Sequence, residues 1–410
     1  MTTVEQRALH YHAWENPGKI AIRVTKAVAT RDDLALAYSP GVAAPCLAIH
    51  KDPAKAYQYT AKGNLVAVIS NGSAVLGLGN IGPLASKPVM EGKVALFKKF
   101  AGIDAFDLEI DESDPDKLIA IIAALHPTFG GINLEDIRAP ECFYIEQRLR
   151  ECLSIPVFHD DQHGTAIVVC AGLLNALALT GRDISTLKIV CSGAGAAALA
   201  CLEMMVELGV RRDNLIVCDS KGVVSTRRPL SPEKLGWARD THLTCLSEAI
   251  EGADMFLGLS GPGLLSQHDV GRMAADPIVF ALANPDPELL PELIRQAAPH
   301  AIVATGRSDY PNQINNALCF PYLFRAALDC GAATINREMK HACVLALARL
   351  ARDSAGFGRD YLVPGLLDER LLGNIAPAVA AAAFSSGIAS RELDPRQYGL
   401  RLERIAADLD

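Results

Sequence analysis

Two adjacent acids, Asp160 and Asp161, lie between a short apolar run (Ile155-Pro-Val-Phe158) and Gly164-Thr165, which opens a longer one. The pattern predicts strand, polar turn and helix. Acids at the carboxyl end of such a strand stand where α/β proteins collect ligands, although two acids there would also serve as helix caps. A second pair, Glu135-Asp136, ends an apolar-then-glycine approach of its own, Thr128-Phe-Gly-Gly-Ile-Asn-Leu134. Converging carboxylates repel one another unless a hard divalent cation lies between them. His159 and His163, four residues apart, raise zinc as a lesser alternative. No glutamate follows His159 as an HExxH helix requires, and the acids suit oxygen-preferring Mg²⁺ or Mn²⁺ better.

Other side chains could act on the same centre. Tyr38 sits in Ala37-Tyr-Ser-Pro-Gly-Val-Ala-Ala-Pro-Cys46, where two prolines and a glycine predict a rigid loop; the loop either presents the phenol or merely packs it. Lys93 falls near the start of a helix read over Met90–Phe100. Beside apolar neighbours its pKa would be lowered by burial and the amine could serve as a base; the plain alternative is a solvated helix lysine, the reading adopted for Lys98 and Lys99. The amides of Pro311-Asn-Gln-Ile-Asn-Asn316 either cap a helix or hydrogen-bond a carboxylate.

The elements that must position these groups alternate. Strands are predicted at 65–69, 105–110, 187–191, 214–219, 254–259, 277–282 and 301–304, separated by helices such as 116–125 and 199–208. Buried strands in regular alternation with helices predict parallel sheets with ligand-binding loops at one edge. Gly77-Leu-Gly-Asn-Ile-Gly82 is a literal GxGxxG, but Pro83 follows and no tight strand-to-helix turn surrounds it. The dinucleotide turn is placed instead at Ser192-Gly-Ala-Gly-Ala-Ala-Ala198, between a strand and a helix, with a second strand ending at Asp219. Gly193 permits the turn, Gly195 lets the backbone approach a pyrophosphate and Ala198 fills the third position, where alanine is allowed; Ala194, Ala196 and Ala197 are candidate coenzyme contacts in the same turn. Residues 1–36 read as amphipathic helix on both sides of Asn16-Pro17-Gly18, exposing aromatics between Ala8 and Trp14 that a partner subunit would cover. The remainder of the chain after Asn316, very Ala-rich over 377–383, reads as helices packed on the outside.

Composition narrows the setting. The 410 residues carry a net charge of −8, which argues against nucleic acid or an anionic membrane surface as a partner. Residues 1–30 hold no apolar signal core, and the longest apolar stretch, 166–179, is short for a bilayer and is interrupted by Asn175. Eleven cysteines, none in a CxxC pair, fall mostly in apolar runs and read as reduced core residues. A cytoplasmic protein is expected.

With these residues in place the sequence resembles the malic enzymes, of the bacterial NADP type. The matching stretches are Tyr38-Ser-Pro-Gly-Val-Ala43, Ser70–Gly82, Glu91–Gly102, Asn133-Leu-Glu-Asp136, Phe158–Thr165, Leu282-Ala-Asn-Pro285 and Thr305–Gln313. Some bacterial relatives continue into a phosphotransacetylase-like domain, for which this chain is too short. The resemblance implies an α/β fold with an N-terminal substrate and metal domain (1–160), a Rossmann-like doubly wound dinucleotide-binding domain (161–385) and a helical tail (386–410). It implies metal-dependent oxidative decarboxylation of L-malate to pyruvate and CO₂ with reduction of NADP, NAD remaining possible. Glu135, Asp136 and Asp161 would hold Mg²⁺ or Mn²⁺, Lys93 would be the general base tuned by Asp160, and Tyr38 the acid that protonates enolpyruvate. Ser73, Asn284 and Asn316 would bind substrate, Asn284 also lying near the nicotinamide. Ala74 stands where many animal-type members carry an arginine, so how the second carboxylate is held is open. Asp219 alone would favour NAD, whereas Ser220, Lys221, Arg227 and Arg228 beyond it could neutralise a 2′-phosphate. A malolactic-type enzyme or a plain 2-hydroxy-acid dehydrogenase would share these motifs, and a silent metabolite sensor would keep the fold. A homodimer or higher homo-oligomer is expected.

Overall fold

The computed structural model describes residues 3–13 and 17–409. Trp14 and Asn16 of the N-terminal reading lie outside them. Beyond helix α1 (Val4–Ala13), residues 17–30 are irregular and mostly exposed, and α2 (Arg31–Ala37) starts at a capping box on Thr30. The expected helix directly after Gly18 is therefore absent: residues 19–29 bury no apolar face that would stabilise one. The loop expected over 37–46 is shorter than predicted, because α3 (Ala43–Lys51) takes up its second half, and the short α4 (Ala56–Tyr59) leads into the first sheet.

That sheet has four parallel strands in the order β2-β1-β3-β4, namely β1 (Leu65–Ser70), β2 (Asp104–Glu109), β3 (Gly131–Leu134) and β4 (Val157–His159). Its helices are α5 (Pro83–Ala101), α6 (Pro115–Leu125) and α7 (Glu141–Cys152). Helix α5 begins seven residues before the predicted start, so Lys93 lies in its middle rather than near its beginning. Gly82 at the N-cap and Pro83 at the first helical position start it, and Pro88 is carried inside it. No tight strand-to-helix turn forms at Gly77–Gly82, as expected.

Helix α8 (Asp160–Thr180) leaves β4 and crosses to the second sheet. It is apolar nearly all round and buried over most of its length, the composition of a core helix. By length and composition it could also cross a membrane, but it is packed within the fold. Asn175, which interrupts the apolar run, donates to the carbonyls of Ala348 and Leu362 and accepts from Arg352, tying α8 to the C-terminal helices.

The second sheet runs β10-β9-β8-β5-β6-β7. Its strands are β5 (Ile189–Ser192), β6 (Leu215–Asp219), the antiparallel β7 (Gly222–Val223), β8 (Met255–Gly258), β9 (Ile278–Ala281) and β10 (Ile302–Thr305), with helices α9 (Ala196–Glu207), α10 (Pro232–Leu235), α11 (Leu246–Ala249), α12 (Gln267–Gly271) and α13 (Pro291–Ala297) between them. This is the doubly wound order with its switch point between β5 and β8. Four helices follow, α14 (Phe320–Cys330), α15 (Arg337–Arg352), α16 (Arg370–Ser385) and α17 (Pro395–Ala407). They do not all sit on the outside as expected. Every residue of α14 is buried, and Phe320 and Phe324 pack edge-on against Phe97 of α5 at 4.8 and 5.3 Å between ring centroids. One hydrophobic core thus runs from β1 and α5 through α8 to β5, β8 and β9 and the C-terminal helices.

Candidate functional site

The site forms where strands end. The register of β3 against β4 pairs Leu134 with His159, so Glu135-Asp136 and Asp160-Asp161 leave adjacent parallel strands at the same level. Parallel pairing therefore places all four acidic residues at the carboxyl edge of the sheet. Lys93 reaches them from α5, its Nζ 2.6 Å from Asp160 Oδ2, 3.0 Å from Glu135 Oε1 and 4.4 Å from the Phe320 ring centroid. Lys93, Glu135, Asp136 and Asp160 are all buried, whereas the Asp161 side chain is 30% exposed and opens the cluster to solvent.

The backbone is shaped to this purpose. Asp136 adopts φ 54°, a left-handed conformation costing roughly 1 kcal/mol or more in a residue with a Cβ, and its N–H donates to Asp161 Oδ2 at 2.7 Å. Gly164, in the first turns of α8, leaves room for Asp160: a Cβ there would stand 2.0 Å from Asp160 Oδ1 and 3.0 Å from the Cβ of Asn316. Asn316 therefore borders the cluster.

Oxygen atoms of Glu135, Asp136 and Asp161 lie within 4.8 Å of one another. Asp136 Oδ2 and Asp160 Oδ1 are buried without a hydrogen-bond partner among the described residues. Burial, reinforced by the neighbouring acids, pushes Asp136 up to about 9. Burial likewise raises Glu135 to about 7 and Asp161 to about 6, against the pull of Lys93. Excess acid, orphaned oxygens and hard donors together fit Mg²⁺ or Mn²⁺. Zinc through the histidines does not fit: His159 is fully buried, burial pushes its pKa down to about 4, and His163 is paired with Glu146 instead. The expected lowering of the Lys93 pKa is reversed. Burial does pull it down, but Asp160, Glu135 and Asp161 outweigh that and hold the ammonium form.

The glycine turn expected after Ser192 forms between β5 and α9. Gly193 has φ 128°, and a Cβ on it would stand 2.4 Å from the Leu259 carbonyl oxygen, so no other residue fits. Gly195 faces open space and caps α9, whose first residues are Ala196 and Ala197; Ala194 completes the turn. At the end of β6 both oxygens of Asp219 are engaged. Oδ1 accepts from Arg228 Nη2 at 2.7 Å and from the Lys221 N–H at 2.9 Å, and Oδ2 from Lys234 Nζ at 2.9 Å. Ser220 is exposed beside them, while Arg227 turns away to Asp240. Lys234, on α10 and fifteen residues beyond Asp219, was not signalled by spacing. Asn284 meets both units: Gly77 packs against its carbonyl and Gly306 against its side-chain amide.

Two expected residues stand apart. Ser73 donates to Asn71 Oδ1 at 2.6 Å and accepts the Arg138 N–H at 3.0 Å, lining a neighbouring cavity of about 290 Å³ rather than joining the Lys93 cluster. Tyr38 is 75% exposed, and its hydroxyl has no hydrogen-bond partner among the described residues.

A glycine turn at the switch side of a doubly wound sheet, beside a lysine-acid cluster, defines the class of dinucleotide-binding α/β proteins with a polar reaction site. The comparisons narrow this. Residues 17–150 match the family model described as "Malic enzyme, N-terminal domain" and residues 162–384 the one described as "Malic enzyme, NAD binding domain". The chain is 59% identical over 406 residues to the NADP-dependent malic enzyme of Escherichia coli (strain K12), covering 95% of this chain and 54% of that protein, about half its length. It is 58% identical over 405 residues to an NAD-dependent malic enzyme of Rhizobium meliloti (strain 1021), covering 95% and 53%. A malic enzyme structure from Pyrococcus horikoshii Ot3 superposes with a TM-score of 0.92 at 44% identity, covering 99% of this chain and 96% of that one. The chain belongs to the malic enzyme family.

Proposed function

We propose that this chain oxidises L-malate at C2 with NADP as hydride acceptor and releases pyruvate and CO₂. The observation that carries the reading is a buried lysine facing four carboxylates beside a dinucleotide-binding sheet. Residues 1–160 would supply the acid cluster and the base, 161–385 the coenzyme cradle, and 386–410 a helical buttress against α5.

Glu135, Asp136 and Asp161 would hold Mn²⁺ or Mg²⁺. Such an ion, when bound, supplies Lewis-acid polarisation of the substrate's 2-oxygen and of the charge that develops as CO₂ leaves. Lys93 takes the C2 hydroxyl proton, and Asp160 holds its Nζ in position. A cation held by Glu135, Asp136 and Asp161 would offset two of the three carboxylates that hold the ammonium form, leaving Asp160 alone against burial, which favours the neutral amine a base requires. Asn316, beside the acid cluster, and Asn284, between Gly77 and Gly306, would be the amides that hold a carboxylate, with Ser73 beyond the end of β1 in the first sheet. Tyr38 supplies the proton to C3. In the single chain its phenol is exposed on an N-terminal arm that also exposes Leu9, Tyr11, Ile22 and Leu36, so this role goes with a homo-oligomer that covers the arm.

NADP is favoured over NAD by charge. An unpaired Asp219 would bind ribose hydroxyls and repel a 2′-phosphate; here Arg228 and Lys234 neutralise it and remain as phosphate donors. Replacing both by alanine should raise the KM for NADP about tenfold or more and leave that for NAD little changed; equal effects on both coenzymes would remove this assignment. A cytoplasmic setting agrees with eleven free cysteines, eight of them buried.

The deciding experiment follows absorbance of the reduced coenzyme with L-malate and Mn²⁺ and quantifies pyruvate at the end. Metal-dependent NADPH with equimolar pyruvate is expected. Reduction without pyruvate would mean a plain dehydrogenase, and lactate without net reduction a malolactic enzyme.

A further inference from the structure

Glu146 lies mid-way along α7 and is 6% exposed. A buried carboxylate costs several kcal/mol unless it is paired and hydrogen-bonded, so its partners matter. Oε1 accepts from the His159 N–H at 3.3 Å and from His163 Nε2 at 2.8 Å, and Oε2 from Gln162 Nε2 at 3.4 Å and from the same His163 nitrogen at 3.0 Å. Every donor belongs to the turn His159-Asp-Asp-Gln-His163, and the two residues of that turn not gripped are Asp160 and Asp161. The network continues outward. With Nε2 carrying the proton given to Glu146, His163 Nδ1 is an acceptor, and Lys340 Nζ from α15 stands 3.4 Å from it. Burial opposes ionisation of Glu146, and the hydrogen bond from His163 works against burial and lowers the carboxyl pKa.

We propose that Glu146, with His163 and Lys340 behind it, is a positioning network that holds the first turn of α8 so that Asp160 faces Lys93 and Asp161 faces Glu135 and Asp136. Packing of α7 alone needs no anion, since Cys142, Ile145 and Leu149 already bury its inner face. An anion gripping one side of the turn leaves the two acids only the opposite side, where they meet Lys93 and the β3 acids. Partners one shell behind a metal ligand tune metal affinity by about 10–100-fold. The inference rests on the metal reading of the acid cluster.

The test is Mn²⁺ binding to the full chain, stripped with chelator and without substrate, read from the paramagnetic resonance of free Mn²⁺. Glu146→Gln and His163→Leu should each raise the Mn²⁺ dissociation constant about tenfold or more. His163→Gln, whose amide nitrogen reaches the place of Nε2, should stay within about threefold, and NADP binding by calorimetry should be unchanged in all three. Dissociation constants within about threefold of the unmodified chain for both disruptive variants would overturn the proposal. So would a His163→Gln as impaired as His163→Leu, because that would make the ring's packing, not its hydrogen bond, the cause. Should Glu146→Gln fail to fold, the two His163 variants decide alone. An unmodified chain that binds no Mn²⁺ would sink the metal reading itself, a result distinct from either.

Discussion

Four carboxylates and one ammonium share a space nearly closed to water, and their charges do not balance. Asp136, Glu135 and Asp161 are raised to about 9, 7 and 6, whereas unfolded carboxyls titrate near 4. The folded chain thus binds protons there that the unfolded chain releases. Stability from this source is full below about pH 4 and is lost as pH rises through about 6 to 9. A divalent ion needs the deprotonated set, so the rise in melting temperature on adding Mn²⁺ should grow from pH 6 to pH 9. A shift independent of pH over that range would contradict it. Lys93→Ala removes the only cation that touches the cluster among the described residues and should lower malate oxidation by about 10²–10⁴-fold, with NADP binding intact in a calorimetric titration. Near-normal turnover would end its assignment as base.

At the scale of the element, α8 does two jobs: its first turn presents acids and the remainder fills the core. Gly164 is where these meet. Glycine to alanine inside a helix ordinarily stabilises by about 1 kcal/mol. Here the added Cβ would stand 2.0 Å from Asp160 Oδ1, and the carboxylate must move from Lys93. Gly164→Ala should therefore cost activity about tenfold or more without a gain in thermal stability, measured as initial rate beside a melting curve. A more stable, fully active variant would mean Asp160 has freedom the geometry denies it. Elements were legible where their signals were local. The strands read from apolar runs, and Asp160-Asp161 stood out because a strand and a helix flank them. The start of α5 was hidden because Gly77–Gly82 and Pro83 read as loop, and packing against β1, β2 and α14 sustains a helix through Pro88.

At the scale of the whole molecule, the C-terminal helices bind the two units into one core. Arg325 of α14 is fully buried, its guanidinium 2.8 and 2.5 Å from the Asp329 oxygens and 2.5 Å from Asn64 Oδ1, just before β1. Removing one partner of a buried pair leaves the other charged and desolvated. Arg325→Met should cost about 3 kcal/mol in urea unfolding, somewhat relieved because Arg401 also reaches Asp329; a cost below about 1 kcal/mol would make the pair dispensable. Light scattering should find a dimer or larger assembly, and Tyr38→Phe should slow pyruvate formation more than NADPH formation. A fully active monomer would refute the covered-arm reading.

By itself the sequence determined which residues could meet. Acids at strand ends, glycines at a strand-to-helix turn and an acid closing the next strand are consequences of local geometry, so spacing reveals them. Tertiary structure decided what those groups are to one another. The Lys93 pKa turned upward because residues 42 and 67 positions away face it, Asp219 lost its bare charge to Lys234, and α14 became core because Phe97 waits for it. Burial, charge pairing and contact depend on distances in space, and a chain's order does not contain them until it folds.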